Sequence, residues 1–482
     1  MRSESEFLRC SAKRCPALTR KIAGGVFVTA MLLAAAKPDE LSAQVAPLAN
    51  STSGTNCRVE NVDYRGWKAQ QISNRWVQLV IVPQNGGRLM QVTFDGHGYL
   101  FVNPKLAGKH MPPTQNQWFN YGGDKLWLLP EGDDDEQHWR GGSDLIDDGE
   151  FAFRKLSDAS GCGAELTGQP DPLTGVQFVR TIRLEPDSPH IAFRASMKNV
   201  SGHTLEWSMQ SVSQYDSGNP ADPSQRNREI WGFTSANPSS GYLNRYHVRT
   251  GPAENPSAMI REDGLFSLHY SHLAAEFWID STDGWLAVVD GSSRYAMVER
   301  FQYEQQRTYP GKASVIFWTN GPQLRFDSDG NASVSDGAND GAPLYMEAEL
   351  NSPMCRLRPG ESCQLETDWF PTRAGSEFHG VADAGIVTRL LRAVRLENGK
   401  VKLTGSFGIF FPGKLVAHLY NEHGSSTGTL SLGDVSPANL IVLDIETAPQ
   451  GKPTRISLHL EDQAGLDRGA LQEVPIRTED IP

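Results

Sequence analysis

The stretch WVQLVIVPQNGGRLMQVTFDGHGYLFV, residues 76–102, decides the fold. It holds three apolar runs separated by QNGG and DGHG. Each separator puts Gly after Asn or Asp, where a tight hairpin turn needs the positive φ that Gly adopts without a steric penalty. The stretch therefore reads as successive antiparallel strands. Alternating runs of the same kind recur at FVRTIRLE (178–185), IAFRASMKNV (191–200), LEWSMQSVSQYD (205–216), GWLAVVD (284–290), YAMVERF (295–301), ASVIFWTN (313–320) and LYMEAEL (344–350). Their spacing predicts an all-β chain dominated by a large antiparallel sandwich. The 46 Gly, 29 Pro and 11 Trp supply the turns and aromatic faces that such a fold uses.

A chain of 482 residues exceeds one ordinary core, so a second domain is expected. The first closes near Pro371, giving a main domain over 57–375. AGIVTRLLRAV (384–394) carries apolar residues at helical spacing and reads as a short helix within a linker over 376–394. From Arg395 a second β pattern runs to 482: VKLTGSFGIFF, KLVAHLY, GTLSLG, ANLIVLDIE and TRISLHLED. It reads as a small Ig-like β-sandwich of roughly six strands.

The opening residues read as an export signal. Arg9, Lys13, Arg14, Arg20 and Lys21 precede the apolar run Ile22–Ala36, which is short for a membrane span and long enough for a signal core. A small-residue cleavage site near Ala43 makes 1–43 the signal, and the small polar residues 44–56 a flexible lead-in. The expected location is periplasmic or secreted. Without the signal, 38 basic face 53 acidic side chains, a net charge of −15. That balance argues against nucleic acid and against an anionic membrane as partner. Cys57, Cys162, Cys355 and Cys363 remain after the signal, an even number that suggests disulfides with three possible connectivities. Cys355–Cys363 together with Cys57–Cys162 is favoured, because the first pair flanks RLRPGES, a hairpin that a bridge can span. None of the four has metal-site spacing, and neither metal nor cofactor is expected.

Residues 103–149 interrupt the strand rhythm with a long insertion, a usual place for function. Its core is QWFNYGGDKLWLLPEGDDDEQHW (117–139). Trp118, Phe119, Tyr121, Trp127 and Trp139 offer flat apolar faces, which suit the C–H faces of a pyranose. Asn120, Asp124 and Lys125 offer hydrogen bonds to its hydroxyl edges. Gly122-Gly123 would let backbone approach a ligand. The competing reading makes these aromatics a minor core covering the sandwich. The acidic run from Glu131 to Glu136 reads as a solvated loop, since its spacing is not that of a calcium loop.

Residues 62–104 followed by NYGGDKLW (120–127) resemble the opening of a bacterial family of unknown function in the galactose mutarotase-like superfamily. FWTNGPQLRF (317–326), LYMEAELNSP (344–353) and LRPGESCQLETDWFP (357–371) are similar to the closing part of aldose epimerases. The resemblance implies a galactose mutarotase-like super-sandwich with a sugar cleft on its concave face. It places Glu347 in the position of the catalytic base, with Glu349 two residues on and on the same face. The epimerase histidines have no match: Tyr121 stands in the first position, and Gln210 and Gln214 occupy the region of the second. Tyr121 or Lys125 would then be the partner of Glu347, and Arg88 a further ligand contact. The expected function is carbohydrate binding, with an aldose epimerase-like enzyme as the alternative. A structural envelope protein docking through its C-terminal sandwich is the third reading.

Overall fold

The computed structural model describes residues 57–114, 117–132, 138–141, 144–326, 332–334 and 342–478. The signal and lead-in read from the sequence, 1–43 and 44–56, lie outside the described residues. The main domain is two large antiparallel sheets, of twelve and ten strands. In the first, the central strands run in the order Arg88–Phe94, Asp124–Leu129, Leu205–Asp216, Tyr345–Asn351, Val315–Thr319, Ala275–Ile279.

The two sheets close on one core by strand alternation. From residues 76–102, Leu79, Ile81, Val92 and Phe94 enter the core between the sheets. Val80, Val82 and Met90 point the other way and join a second cluster with Trp67, Phe119 and Tyr121. Both faces are covered there, which explains the nearly unbroken apolar run VQLVIV. The third run, YLFV, forms only single bridges at Leu100 and Val102, and the two-residue strand His97–Gly98 falls in the separator before it.

A third, eight-stranded sheet system forms the C-terminal part. It packs on the outer side of the ten-stranded sheet, where Trp285, Ala287, Val298 and Phe370 meet Ile386, Phe407 and Phe410. Leu286 and Val288, their strand neighbours, face the main core. The expected helix over 384–394 is instead the strand Gly385–Arg395, antiparallel to Val401–Ile409 and parallel to Asp467–Thr478. Register shifts between Val387 and Arg389 and between Arg389 and Arg392 break its alternation. A bulged strand spaces its buried residues unevenly, and that spacing imitates a helix.

Disulfides join Cys57 to Cys162 and Cys355 to Cys363. Each ties a strand region of the twelve-stranded sheet to one of the ten-stranded sheet, so both staple the sandwich across its core.

Candidate functional site

The strand Asp124–Leu129 divides its side chains between two environments. Asp124, Leu126 and Leu128 point between the sheets. Lys125, Trp127 and Leu129 point to the outer face. Register extends that face across the sheet: Trp127 lies opposite Gln210, and Gln214 opposite Glu347. Glu349 then lies opposite Ile316, Glu347 opposite Trp318, and Trp318 opposite Glu276. Directly opposed residues share a face. The insertion covers one end of this face with Phe119 and Tyr121. Beyond it the face opens into a pocket of about 270 Å³.

Tryptophans form the pocket's apolar surfaces. Trp127, Trp278 and Trp318 rise from three strands, and Trp118 stands at the rim, 43% exposed and edge-on to Trp127. Trp127 is fixed from behind. Its indole N–H donates to Asp147 at 2.7 Å, and Asp147 is also paired with buried Arg88 at 2.6 Å. The Lys125 ammonium lies 4.4 Å from the Trp127 ring centroid.

Four glutamates line the same hollow: Glu131, Glu276, Glu347 and Glu349. Glu347 receives the Lys125 ammonium at 3.2 Å and the Gln214 amide at 2.7 Å. Glu276 accepts from Thr250 at 3.1 Å and faces Arg249 at 3.8 Å. Glu349 accepts the Gln210 amide. Burial pushes its carboxyl well above the usual range, and the charges of Glu347, Glu276 and Glu131 add to the effect. Burial, then Glu276 and Glu347, raise Glu131 to about 7. A raised carboxyl pKa means that the proton, or another positive charge, is favoured there.

The structure therefore brings Trp118, Trp127, Gln210 and Glu347 to one pocket, with Lys125 and Gln214 bracing Glu347. The other residues singled out in the sequence stand elsewhere. Tyr121 is fully buried among Trp67, Phe119 and Met90, and its hydroxyl accepts the Met111 N–H at 2.8 Å. Burial raises its pKa. Arg88 is fully buried, donating to the Gly122 carbonyl at 3.2 Å besides its pairing with Asp147. Asp124 is sealed between the sheets by Arg180, with Ser211 and Ser213 donating at 3.3 and 3.1 Å. Asn120 caps the local turn, accepting the Gly122 N–H at 3.1 Å. Gly122 and Gly123 have φ of 92° and 74°, and a Cβ on either would sit 2.1 Å from the Phe101 carbonyl or 2.6 Å from that of Leu89. They serve close backbone packing within the fold.

Glu131, Arg249, Glu276, Trp278 and Trp318 complete the pocket and escaped the sequence reading. Of these, Trp318 in FWTN and Glu131 in 117–139 lay inside stretches already singled out. Glu131 lay at the edge of the acidic run read as solvated.

The molecule's structural neighbours include galactose mutarotase-like proteins. One from Clostridium acetobutylicum is 12% identical, with 66% of this chain and 100% of that chain covered and a TM-score of 0.42. Another, from Lactobacillus casei, is 10% identical over 63% of this chain and 99% of that chain, also with a TM-score of 0.42. A TPR-domain-containing protein from Parabacteroides distasonis is 13% identical over 64% of this chain, with a TM-score of 0.42, and the match spans only 47% of that longer chain. No protein-family model and no curated protein matches this chain.

Proposed function

We propose that this is an exported carbohydrate-binding protein whose open sheet face holds a saccharide. The observation that carries the reading is the pairing of tryptophan surfaces with carboxylate and amide edges in one pocket. Trp127, Trp278 and Trp318 share the hollow with Glu347, Glu349, Gln210 and Asn320. Sugars combine apolar ring faces with hydroxyl edges, and a site with both kinds of surface is complementary to them. Two disulfides support the exported part, since such bonds persist in oxidising compartments. Among the described residues, no helix is long and apolar enough to cross a membrane.

A glycan array followed by calorimetry tests the reading. Binding of at least one oligosaccharide, lost in Trp127→Ala, is the expected result. Absence of binding to every glycan would overturn it.

A second reading makes the pocket catalytic on a sugar ring. It is favoured by the unlike surroundings of two neighbouring glutamates. Glu347 is held by two donors, whereas Glu349 has a strongly raised pKa. Paired carboxyls in contrasting environments can divide base and acid roles. Polarimetry with a panel of aldoses checks it: accelerated mutarotation that disappears in Glu347→Gln is the expected signature.

A further inference from the structure

With all four carboxyls ionised, the charges of the pocket would not balance. Lys125 is matched to Glu347 and Arg249 to Glu276. Glu131 and Glu349 have no cationic partner among the described residues, although Glu349 is only 6% exposed. Gln210 makes an independent demand. It lines the pocket, is 2% exposed, and its side-chain carbonyl oxygen has no hydrogen-bond partner. A buried acceptor left without a donor is costly, and a ligand N–H or O–H would satisfy it.

Among the described residues the pocket's carboxylates do not gather three ligand oxygens closely enough for one ion. A charged group that offers several diverging hydrogens can serve the carboxylates singly. The tryptophan walls require an apolar ring face attached to it. A pyranose bearing an ammonium substituent meets all three demands at once: charge for the carboxylates, a donor for Gln210, and C–H faces for the indoles.

Building on the saccharide reading, we propose that the pocket's ligand is an amino sugar with a free amine, or an oligosaccharide of such units. Its ammonium lies among Glu131, Glu349 and Gln210. The groups facing that ammonium are Glu131, Glu276, Glu347 and Glu349 on the acidic side, and Lys125 and Arg249 on the basic side. The raised pKa values of Glu131 and Glu349 accord with this placement, because a ligand cation can take the place of the proton that each retains.

Calorimetry on the full chain would compare three tetramers: β-1,4-linked glucosamine, its fully N-acetylated form, and the corresponding glucose oligomer. The glucosamine tetramer is expected to bind at least tenfold more tightly than the other two. An acidic protein attracts any cationic oligomer to some extent, so two variants decide the cause. Glu349→Gln and Glu131→Gln each alter the net charge by at most one, remove one carboxyl that would face the ammonium and should each erase most of the preference, while neutral tetramers bind as before. Equal or tighter binding of a neutral tetramer overturns the amine inference and leaves the saccharide reading standing. So does a preference that survives in both variants. Failure of all three tetramers, together with a blank glycan array, overturns both.

Discussion

Asp124 and Lys125 are neighbours on one strand, yet they belong to different kinds of polar cluster. Asp124 turns inward to Arg180, Ser211 and Ser213 in a sealed space between the sheets. Nearby, Glu299 accepts the Tyr215 hydroxyl at 2.6 Å. Lys125 turns outward to Glu347 at the floor of an open pocket that keeps two glutamates without cations. The inward cluster answers Asp124 with Arg180 and two serines, and it seals its leftover acceptor, the second oxygen of Glu299, away from solvent. The outward cluster leaves acceptor capacity over, and that surplus is available only to something from solution. Sites that break the local rules of stability are where function is expected.

The largest effect should come from opening the inward cluster. Asp124→Ala leaves Arg180 buried without its partner and should cost roughly 3–5 kcal/mol of unfolding free energy, read by urea denaturation. A loss no greater than that of a surface substitution would erase the distinction between the clusters.

Next in size is the response to pH. Burial raises Glu299 to about 8, and Glu131 reaches about 7. A carboxyl raised in the folded state lends stability below its unfolded pKa, and that stability is lost as pH rises through the folded value. The window therefore runs from the ordinary glutamate value near 4.5 up to about 8. Urea unfolding should show the protein more stable at the acidic end of this window by on the order of 3 kcal/mol. Glu299→Gln should remove the inward share of that slope, and Glu131→Gln the outward share.

Glu349→Gln should act with the opposite sign to Asp124→Ala. Replacing a carboxyl that folding forces to keep its proton should raise unfolding free energy at neutral pH by about 1 kcal/mol while weakening ligand binding. A destabilised variant would place Glu349 with the inward type. The smallest effect on stability belongs to Trp118→Ala at the exposed rim. It should stay within about 0.5 kcal/mol of the parent protein in stability. The same variant should bind the saccharide roughly three- to tenfold more weakly by calorimetry, reflecting one lost aromatic contact.

Much of the framework was legible in residue order. Gly-containing separators and period-two runs marked the strands, and QNGG did mark a chain reversal between Val77–Val82 and Arg88–Phe94. The disulfide pairs could be favoured from a hairpin and a remainder. The helix over 384–394 misled because bulges disguise a strand's period. Arg88, Asp124 and Tyr121 looked like ligand groups because polar and aromatic residues near a glycine pair can serve either packing or binding. Their partners Asp147, Arg180 and Met111 lie 59, 56 and 10 positions away, and nothing local announces them. Arg249, Glu276 and Trp278 were missed for the same reason: each stands in a strand whose pattern reads as ordinary sheet.

The order of residues determined the all-β character, because alternation and turn chemistry act within a few positions. It also determined that Glu347 and Glu349 share a face, since a strand's period is two. Which faces are sealed and which stay open was decided only by the fold. Strands far apart in the chain become neighbours, one insertion covers one end of an outer sheet face, and the charges left uncovered acquire a common hollow. Burial and partnership are properties of that assembly, and they separate Asp124 from Lys125 although the chain sets them side by side.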